Sequence, residues 1–162
     1  MEVLFASKRT GEQEMKGEMC VMQERYPDAC RALERVLAKR MNVEAMYERA
    51  RMTERAASRP AAGKDGAFRE DMLARAGAMR AEADREKAEL DKMCSRMTLL
   101  LERCRSAGDA LVLKLRYVDG AERDMVRAML NLSVSGYHSR RTRGLAELQR
   151  VISEAGDGMR GA

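Results

Sequence analysis

The chain has 162 residues, enough for one domain or for one small domain with a long extension. Charged residues make up 35% of it, aromatic residues only 4%, and the apolar residues are mainly Ala, Met and Leu. Because these apolar residues are helix formers, the composition predicts an all-α protein and disfavours a sheet-based fold. The net charge of +5 permits a polyanionic partner.

Several classes of protein are disfavoured by what the sequence lacks. The cysteines, Cys20, Cys30, Cys94 and Cys104, form no Cys-x-x-Cys pair, and the single histidine is His138, so no metal site is expected. No phosphate-binding loop, paired-carboxylate motif or Ser/His/Asp arrangement occurs, so we expect neither enzyme activity nor a cofactor. We see no secretory signal and no window of the ~18 apolar residues that a membrane span needs, and therefore expect a cytoplasmic protein without membrane contact.

The first part of the chain is expected to form a long helix. Residues 1–11 show no apolar period and are predicted to be a flexible lead-in. A helical hairpin is predicted at residues 12–105, and in its first part apolar side chains recur from Met15 to Ala50 at alternating spacings of four and three, which places them on one helix face. Pro27 interrupts this stripe, and because proline is tolerated in the first helical turn, a long helix is predicted from near Pro27 to about Ala57, after a short one. A single kinked helix is the alternative.

A second long helix is predicted from about Ala67 to Cys104, after a loop at residues 58–66 that contains proline and two glycines. Its stripe has the same spacing, with Glu86 as the polar exception, as Arg40 is in the first stripe. A helix of about 57 Å cannot bury its stripe against a small C-terminal unit alone. Pairing within one chain or between two chains would solve this, and we expect a long antiparallel helical hairpin that also forms a homodimer.

Residues 106–155 are predicted to form a compact three-helix unit, followed by a flexible tail at 156–162. Gly108 suits a helix C-terminal cap and Asp109 an N-cap. The helices are expected at about 110–117, 121–130 and 134–153, with a turn at Asn131 and Leu132 and with Ser133 as the last N-cap. The predicted inward-facing side chains are Leu111, Leu113, Leu115, Val118, Met125, Val126, Met129, Leu130, Tyr137, Leu145, Leu148 and Ile152. Two such segments across a short turn, the second with clustered cations, are typical of a helix-turn-helix DNA-binding unit.

Residues 109–152 also carry a family resemblance. The order Val-Leu-Lys-Leu-Arg-Tyr (112–117), Gly120, Met-Val-Arg-Ala-Met-Leu-Asn-Leu-Ser (125–133), then Arg143, Leu145 and Leu148, resembles the fourth region of bacterial sigma factors. The run Ser-Val-Ser-Gly-Tyr-His-Ser-Arg-Arg-Thr-Arg-Gly-Leu (133–145) is more similar still to ArpU-type phage late transcription regulators. The resemblance implies binding in the major groove of double-stranded DNA, with RNA polymerase as a further partner.

The resemblance also indicates which side chains would meet the DNA. It places the base-reading positions in the first two turns of the third helix, at Val134, Ser135, His138 and Ser139, where sigma factors often have Arg, Glu and Gln. An ordinary promoter element is therefore not the expected target. Arginine is the residue that most often contacts guanine and also fixes register on phosphate. We predict base contacts from Ser135, His138 and Ser139 and a phosphate contact from Arg140 or Arg141. The full candidate DNA-binding set is Ser133, Ser135, Tyr137, His138, Ser139, Arg140, Arg141 and Arg143.

The sequence thus favours a sequence-specific DNA-binding transcription regulator of phage or prophage origin, whose long helices dimerise or bind a partner. Two alternatives stay open: a small terminase-like DNA-packaging subunit, and a structural coiled-coil protein with a solvated basic face. An acid–base catalytic role of His138 is disfavoured, because no carboxylate or nucleophile lies at a matching spacing.

Overall fold

The computed structural model of the chain describes residues 21–59 and 66–160, with side chains described up to residue 156. Every regular element in these ranges is helical, so the all-α prediction is confirmed. The lead-in expected at residues 1–11 and most of the loop expected at 58–66 lie outside the described residues. The elements are α1 (Pro27–Ser58), α2 (Gly66–Glu102), α3 (Ala107–Leu113), a π-helical turn (Lys114–Val118), α4 (Arg123–Met129) and α5 (Val134–Arg160).

The chain divides into two compact units, and the division falls inside both long helices. One unit comprises Met1–Glu34 and Met97–Ala162, and the other comprises Arg35–Arg96. None of the helices in the described part of the chain combines the length and the apolar character that crossing a membrane requires.

The first long helix begins at Pro27, as predicted, and residues 21–25 form a separate helical stretch before it. The first backbone N–H groups of a helix have no partner within the helix. In α1, Gln149 of α5 is the partner of two of these groups. Its Oε1 accepts hydrogen bonds from the backbone N–H groups of Asp28 and Ala29, both at 3.0 Å. Its Nε2 donates in return to the Asp28 carboxylate at 2.9 Å. A side chain far along the chain therefore fixes the start of α1.

Within the unit Arg35–Arg96, side-chain contacts join α1 to α2 in antiparallel order. The Tyr47 hydroxyl donates to the Asp84 carboxylate at 2.5 Å, and the Arg80 guanidinium donates to the Glu54 carboxylate at 3.0 Å. Partners on α2 thus move toward the N-terminus as positions on α1 move toward the C-terminus. The Asp84 contact raises the pKa of the Tyr47 phenol.

The buried positions of this unit repeat every seven residues. A seven-residue repeat keeps a buried stripe on one side of each helix, because it corresponds to 3.5 residues per turn. Most members of both stripes are Ala or Val, and short side chains at a contact allow two helix axes to approach closely. The predicted stripes therefore do mark buried seams on these helices. The buried members are Val36, Val43, Ala50 and Ala57 on α1 and Ala76, Ala83 and Leu90 on α2.

The two polar side chains in these stripes both find partners. Glu86 forms an ion pair with Lys39, and both side chains are more than half buried. The Arg40 guanidinium donates to the Cys94 sulfur at 3.7 Å. Burying a polar group costs free energy unless it is paired, so these contacts explain how the stripes tolerate charge.

The connection between α2 and α3 differs from the prediction. Ser106 is the N-cap of α3, because its Oγ accepts a hydrogen bond from the backbone N–H of Asp109 at 3.3 Å. Asp109 and Gly108 instead lie inside α3, so both predicted caps were wrong. The physical reason is that the Asp109 carboxylate is buried and bonded to Arg143, which leaves it no capping role.

A π-helical turn after α3 changes which residues face inward. The backbone N–H of Asp119 bonds to the carbonyl of Lys114 at 2.9 Å, five residues back, and this wider turn shifts the buried positions by one residue. Tyr117 and Val118 are buried, whereas Leu115 is half-buried. Gly120 ends the turn at φ 76°, a conformation that favours glycine.

The predicted inward set is correct for most of α5 and wrong for much of α4. Met125 and Met129 are 57% and 60% exposed, because α4 is short and turns only Val126 fully inward. Leu111 is also exposed, and Val112 takes its place in the core. On α5, Val151 rather than Ile152 is fully buried, and the helix continues to Arg160, past the predicted end at residue 153. One core cluster of these helices contains Val112, Val126 and Tyr137.

Candidate nucleic-acid interface

The turn between α4 and α5 has the features of a tight helix-helix connection. α4 ends at Met129 and α5 begins at Val134. Asn131 has φ 50°, a left-handed conformation that Asn tolerates better than most residues. The Ser133 Oγ accepts a hydrogen bond from the backbone N–H of Gly136 at 3.0 Å, so its predicted role as N-cap is confirmed. Ser133 is exposed, and besides accepting this capping bond its Oγ lies within hydrogen-bonding distance of the Ser135 Oγ, at 3.2 Å.

Tyr137 holds the start of α5 against the rest of the unit. Its side chain is only 3% exposed and packs in the cluster with Val112 and Val126. Burial raises the pKa of its phenol. Tyr137 is therefore a core residue and not a surface contact, which corrects its place in the candidate DNA-binding set.

The exposed side of the first two turns of α5 is small and polar. Ser135 and Ser139 are both exposed, and residues four apart lie on the same face of a helix. Val134 is 47% exposed at the first position of the helix. His138 is half-buried, with its ring edge-on to Tyr137 at a centroid distance of 5.7 Å. This surface offers hydroxyl groups and one apolar group, with no carboxylate among its members to repel a phosphate backbone.

Arg143 is bonded within the protein by both arms of its guanidinium. Its Nε and Nη2 donate to the two carboxylate oxygens of Asp109 at 2.9 and 3.0 Å. The Asp109 side chain is 8% exposed and the Arg143 side chain 60% exposed. The hydrogen bond from Arg143 holds the pKa of the Asp109 carboxyl below its usual range. A bidentate pair of this kind fixes direction as well as distance, so it sets how α5 lies against α3.

Arg141 is also turned toward the protein. Its Nε donates to the Tyr117 hydroxyl at 3.1 Å, and the side chain is half-buried. Arg140 lies on the same side of α5 as Arg143, and its Nη1 would be only 2.9 Å from a Cβ placed on Gly108 of α3. Arg141 and Arg143 are bonded to Tyr117 and Asp109, whereas the half-buried Arg140 side chain lies against the start of α3.

Gly144 is a site residue that sequence reasoning missed. A Cβ at Gly144 would lie 2.9 Å from the backbone oxygen of Asp109 and 3.0 Å from Cδ1 of Leu113. The glycine therefore lets α5 cross α3 closely, next to the Asp109–Arg143 pair. Glycine in a helix interior costs ~1 kcal/mol relative to alanine, so its presence in a helical pattern was a usable signal of close packing.

Within the described residues, no three His, Cys, Asp or Glu side chains come together as a metal site would need. Burial raises the pKa of the Cys30 and Cys104 thiols, which is the opposite of what an activated thiolate nucleophile needs.

Comparison of the chain with known protein families, with curated proteins and with solved structures gives no match.

Proposed function

We propose that this protein is a sequence-specific, DNA-binding regulator of transcription of phage or prophage origin, acting in the cytoplasm. In this proposal α3, α4 and α5 form a sigma region 4-like helix-turn-helix, and α5 enters the major groove of double-stranded DNA. The long helices α1 and α2 form an antiparallel hairpin that dimerises the protein or holds a partner. RNA polymerase is a further proposed partner, on the resemblance of residues 109–152 to sigma factors.

One observation carries the proposal: α5 is anchored on one side and polar on the other. Tyr137, Leu145 and Leu148 are buried, while Ser135 and Ser139 are exposed on the first two turns. A recognition helix needs both properties, because base edges are read by hydrogen bonds from side chains on a firmly held helix. The antiparallel contacts between α1 and α2 support the hairpin.

Arg140 supplies the cation that backbone binding needs. Protein–DNA affinity depends on phosphate contacts, and each contact contributes about one unit to the slope of log affinity against log salt. Arg141 and Arg143 are bonded to Tyr117 and Asp109, so their removal is expected to weaken folding more than it changes this slope.

The test is selection of bound duplexes from a random pool at low salt, followed by titration of the selected site. The combined change Ser135→Ala and Ser139→Ala should alter or abolish the sequence preference, whereas Ser95→Ala, at an exposed serine of α2, should not. Arg140→Ala should lower the affinity for all duplexes and reduce the salt slope by about one unit.

A matched control for the charge change is Arg85→Ala, at an exposed arginine of α2. It should leave the salt slope unchanged. Absence of any duplex affinity at low salt for the folded wild-type protein would overturn the proposed function. Equal sequence preference in the wild type and the double serine variant would instead remove α5 as the reading helix.

A further inference from the structure

The face of α1 that points away from α2 carries exposed apolar side chains. Met41 and Met52 are 62% and 61% exposed. Each lies two residues from a buried position, Val43 or Ala50, and two residues turn a helix by about 200°. This face is therefore opposite the seam with α2. We call it the outer face of α1, and its members are Ala38, Met41, Ala45, Glu48, Met52 and Arg55.

The outer face has the spacing of a second helix-pairing stripe. Its members follow one another at intervals of three and four residues, which is the pattern of a helix-pairing seam. A shallow groove runs along it, lined by Met41, Glu44, Ala45, Tyr47, Glu48 and Arg51. The small Ala45 side chain lies between larger ones, so a side chain of a second helix has a place to enter.

The outer face is complementary to itself when two copies run antiparallel. With the two-fold axis between residues 46 and 47, each residue meets the one equally far from that axis. Met41 of one copy then faces Met52 of the second, and the small Ala45 faces Glu48 of the second. The two-fold axis repeats each of these contacts, as an isologous interface requires.

The charges beside the stripe fit the same register. Glu44 and Arg51 lie on the same flank of the outer face, and in an antiparallel pair like flanks face each other. Glu44 is 2.5 residues and Arg51 4.5 residues from the axis, so Arg51 of the second copy is displaced from Glu44 by two residues, about 3 Å along the helix, a distance that these long side chains span. The two-fold axis makes two such pairs. Among the residues that the structure describes, Arg51 pairs with Glu48 at 3.9 Å, with both side chains more than half exposed, a contact that contributes little.

We propose that two copies of this chain associate through the outer faces of α1, antiparallel, with Met41 packed on Met52 and Glu44 paired with Arg51 of the second copy. The occupant is a second copy because one register brings apolar side chains together and opposite charges together at once. A single helix face is small, at or below the ~1,200 Å² at the low end of specific interfaces, so we expect a dissociation constant in the micromolar range.

The inference specifies the dimer that the proposed function contains, and it rests on that proposal for its biological role. Its test uses no DNA, so the two can fail separately. Sedimentation of the full chain across micromolar concentrations should show a monomer–dimer equilibrium. Glu44→Arg places two like-charged pairs in the interface, and Arg51→Glu does the same with the opposite sign. Each variant alone should associate at least tenfold more weakly than the wild type.

An equimolar mixture of the two variants decides the register. The mixture restores opposite charges at both pairs, so it should form a heterodimer of about wild-type affinity. Glu70→Arg, the same charge change at an exposed residue of α2, is the matched control and should associate as the wild type does. Circular dichroism of each variant establishes that it is folded.

Three results would overturn the inference. The first is a wild-type protein that stays monomeric up to a concentration about 200 times the lowest one measured, which is ~1 µM. The second is a folded single variant that associates as the wild type does. The third is a mixture of the two variants that fails to pair. Assemblies of eight or more subunits would also overturn the two-fold arrangement and would favour a DNA-packaging ring.

Discussion

The pair between Asp109 and Arg143 gives the most direct test of how α5 is positioned. Asp109→Asn keeps the shape of the side chain and removes its charge. The wild-type carboxylate is 8% exposed and accepts two hydrogen bonds from Arg143, at 2.9 and 3.0 Å. The variant retains one acceptor oxygen, so one of the two bonds is lost and the other loses its charge assistance.

The expected loss follows from these contacts. Hydrogen bonds to charged groups contribute ~1.5–3 kcal/mol, and solvent around the 60% exposed Arg143 side chain lowers that contribution. We therefore expect Asp109→Asn to reduce the free energy of unfolding by about 1–2 kcal/mol. For a chain of this size each kcal/mol shifts Tm by ~2–4 °C.

Urea unfolding followed by circular dichroism measures this loss, and its pH dependence identifies the cause. The folded-state pKa of Asp109 is lowered, chiefly by the hydrogen bond from Arg143. Its contribution is then present above the unfolded pKa of about 3.9 and is lost as pH falls through the lower folded pKa. The difference between wild type and Asp109→Asn should be constant at neutral pH and shrink in strong acid. Glu70→Gln, an acid-to-amide change at an exposed site, should stay within about 0.5 kcal/mol of wild type.

Two outcomes would refute the reasoning. Equal stability of wild type and Asp109→Asn at neutral pH would mean that the ion pair contributes nothing. A loss that persists unchanged in strong acid would mean that packing of the side chain matters and its charge does not.

Three further predictions concern the same unit. Gly144→Ala should lower the free energy of unfolding by about 1–3 kcal/mol, because the new Cβ would meet the backbone of α3. Gly77→Ala, in open space within α2, should instead raise the free energy of unfolding by up to about 1 kcal/mol. Chemical denaturation of both variants measures the two changes. Gln149→Ala should lower the free energy of unfolding by about 0.5–2 kcal/mol and should speed hydrogen exchange at the first backbone amides of α1. Unchanged exchange at these amides would contradict the capping role of Gln149. Val134→Ala should weaken binding to a selected site if Val134 packs on a thymine methyl group there. Replacing that thymine with deoxyuridine should then add little further loss, because the variant already lacks the contact; additive losses in a binding titration would rule this contact out.

Local patterns in the sequence were enough to find the long helices and one cap. Pro27 begins α1 because a first-turn proline loses no hydrogen bond, and the seven-residue repeat identifies the buried seams without any knowledge of the partner helix. Ser133 caps α5 for an equally local reason, since its hydroxyl bonds three residues ahead. Each of these features depends on residues within a few turns of one another.

Features that depend on distant residues were beyond the sequence. Asp109 is by type a good N-cap, and only the position of Arg143 on α5 turns it inward. The π-helical turn shifts the register after Leu113, so a regular helical period assigns the wrong inward residues there. Met125 and Met129 are apolar but exposed, because the short α4 has room to bury little more than Val126.

The arginines of α5 show why a cluster in sequence is not a cluster in space. Successive residues of a helix turn by about 100°, so Arg141 points away from Arg140 and Arg143, whereas Arg140 and Arg143 are three residues apart and lie on the same side of α5. Arg141 and Arg143 reach Tyr117 and Asp109 of the unit's own core side, and Arg140 lies over the start of α3. Two of the three charges therefore hold the helix in place, and of these two Arg143 also remains 60% exposed. Under the proposed function, sequence preference therefore comes from the small polar face at the start of α5, while much of the positive charge of this helix acts within the fold.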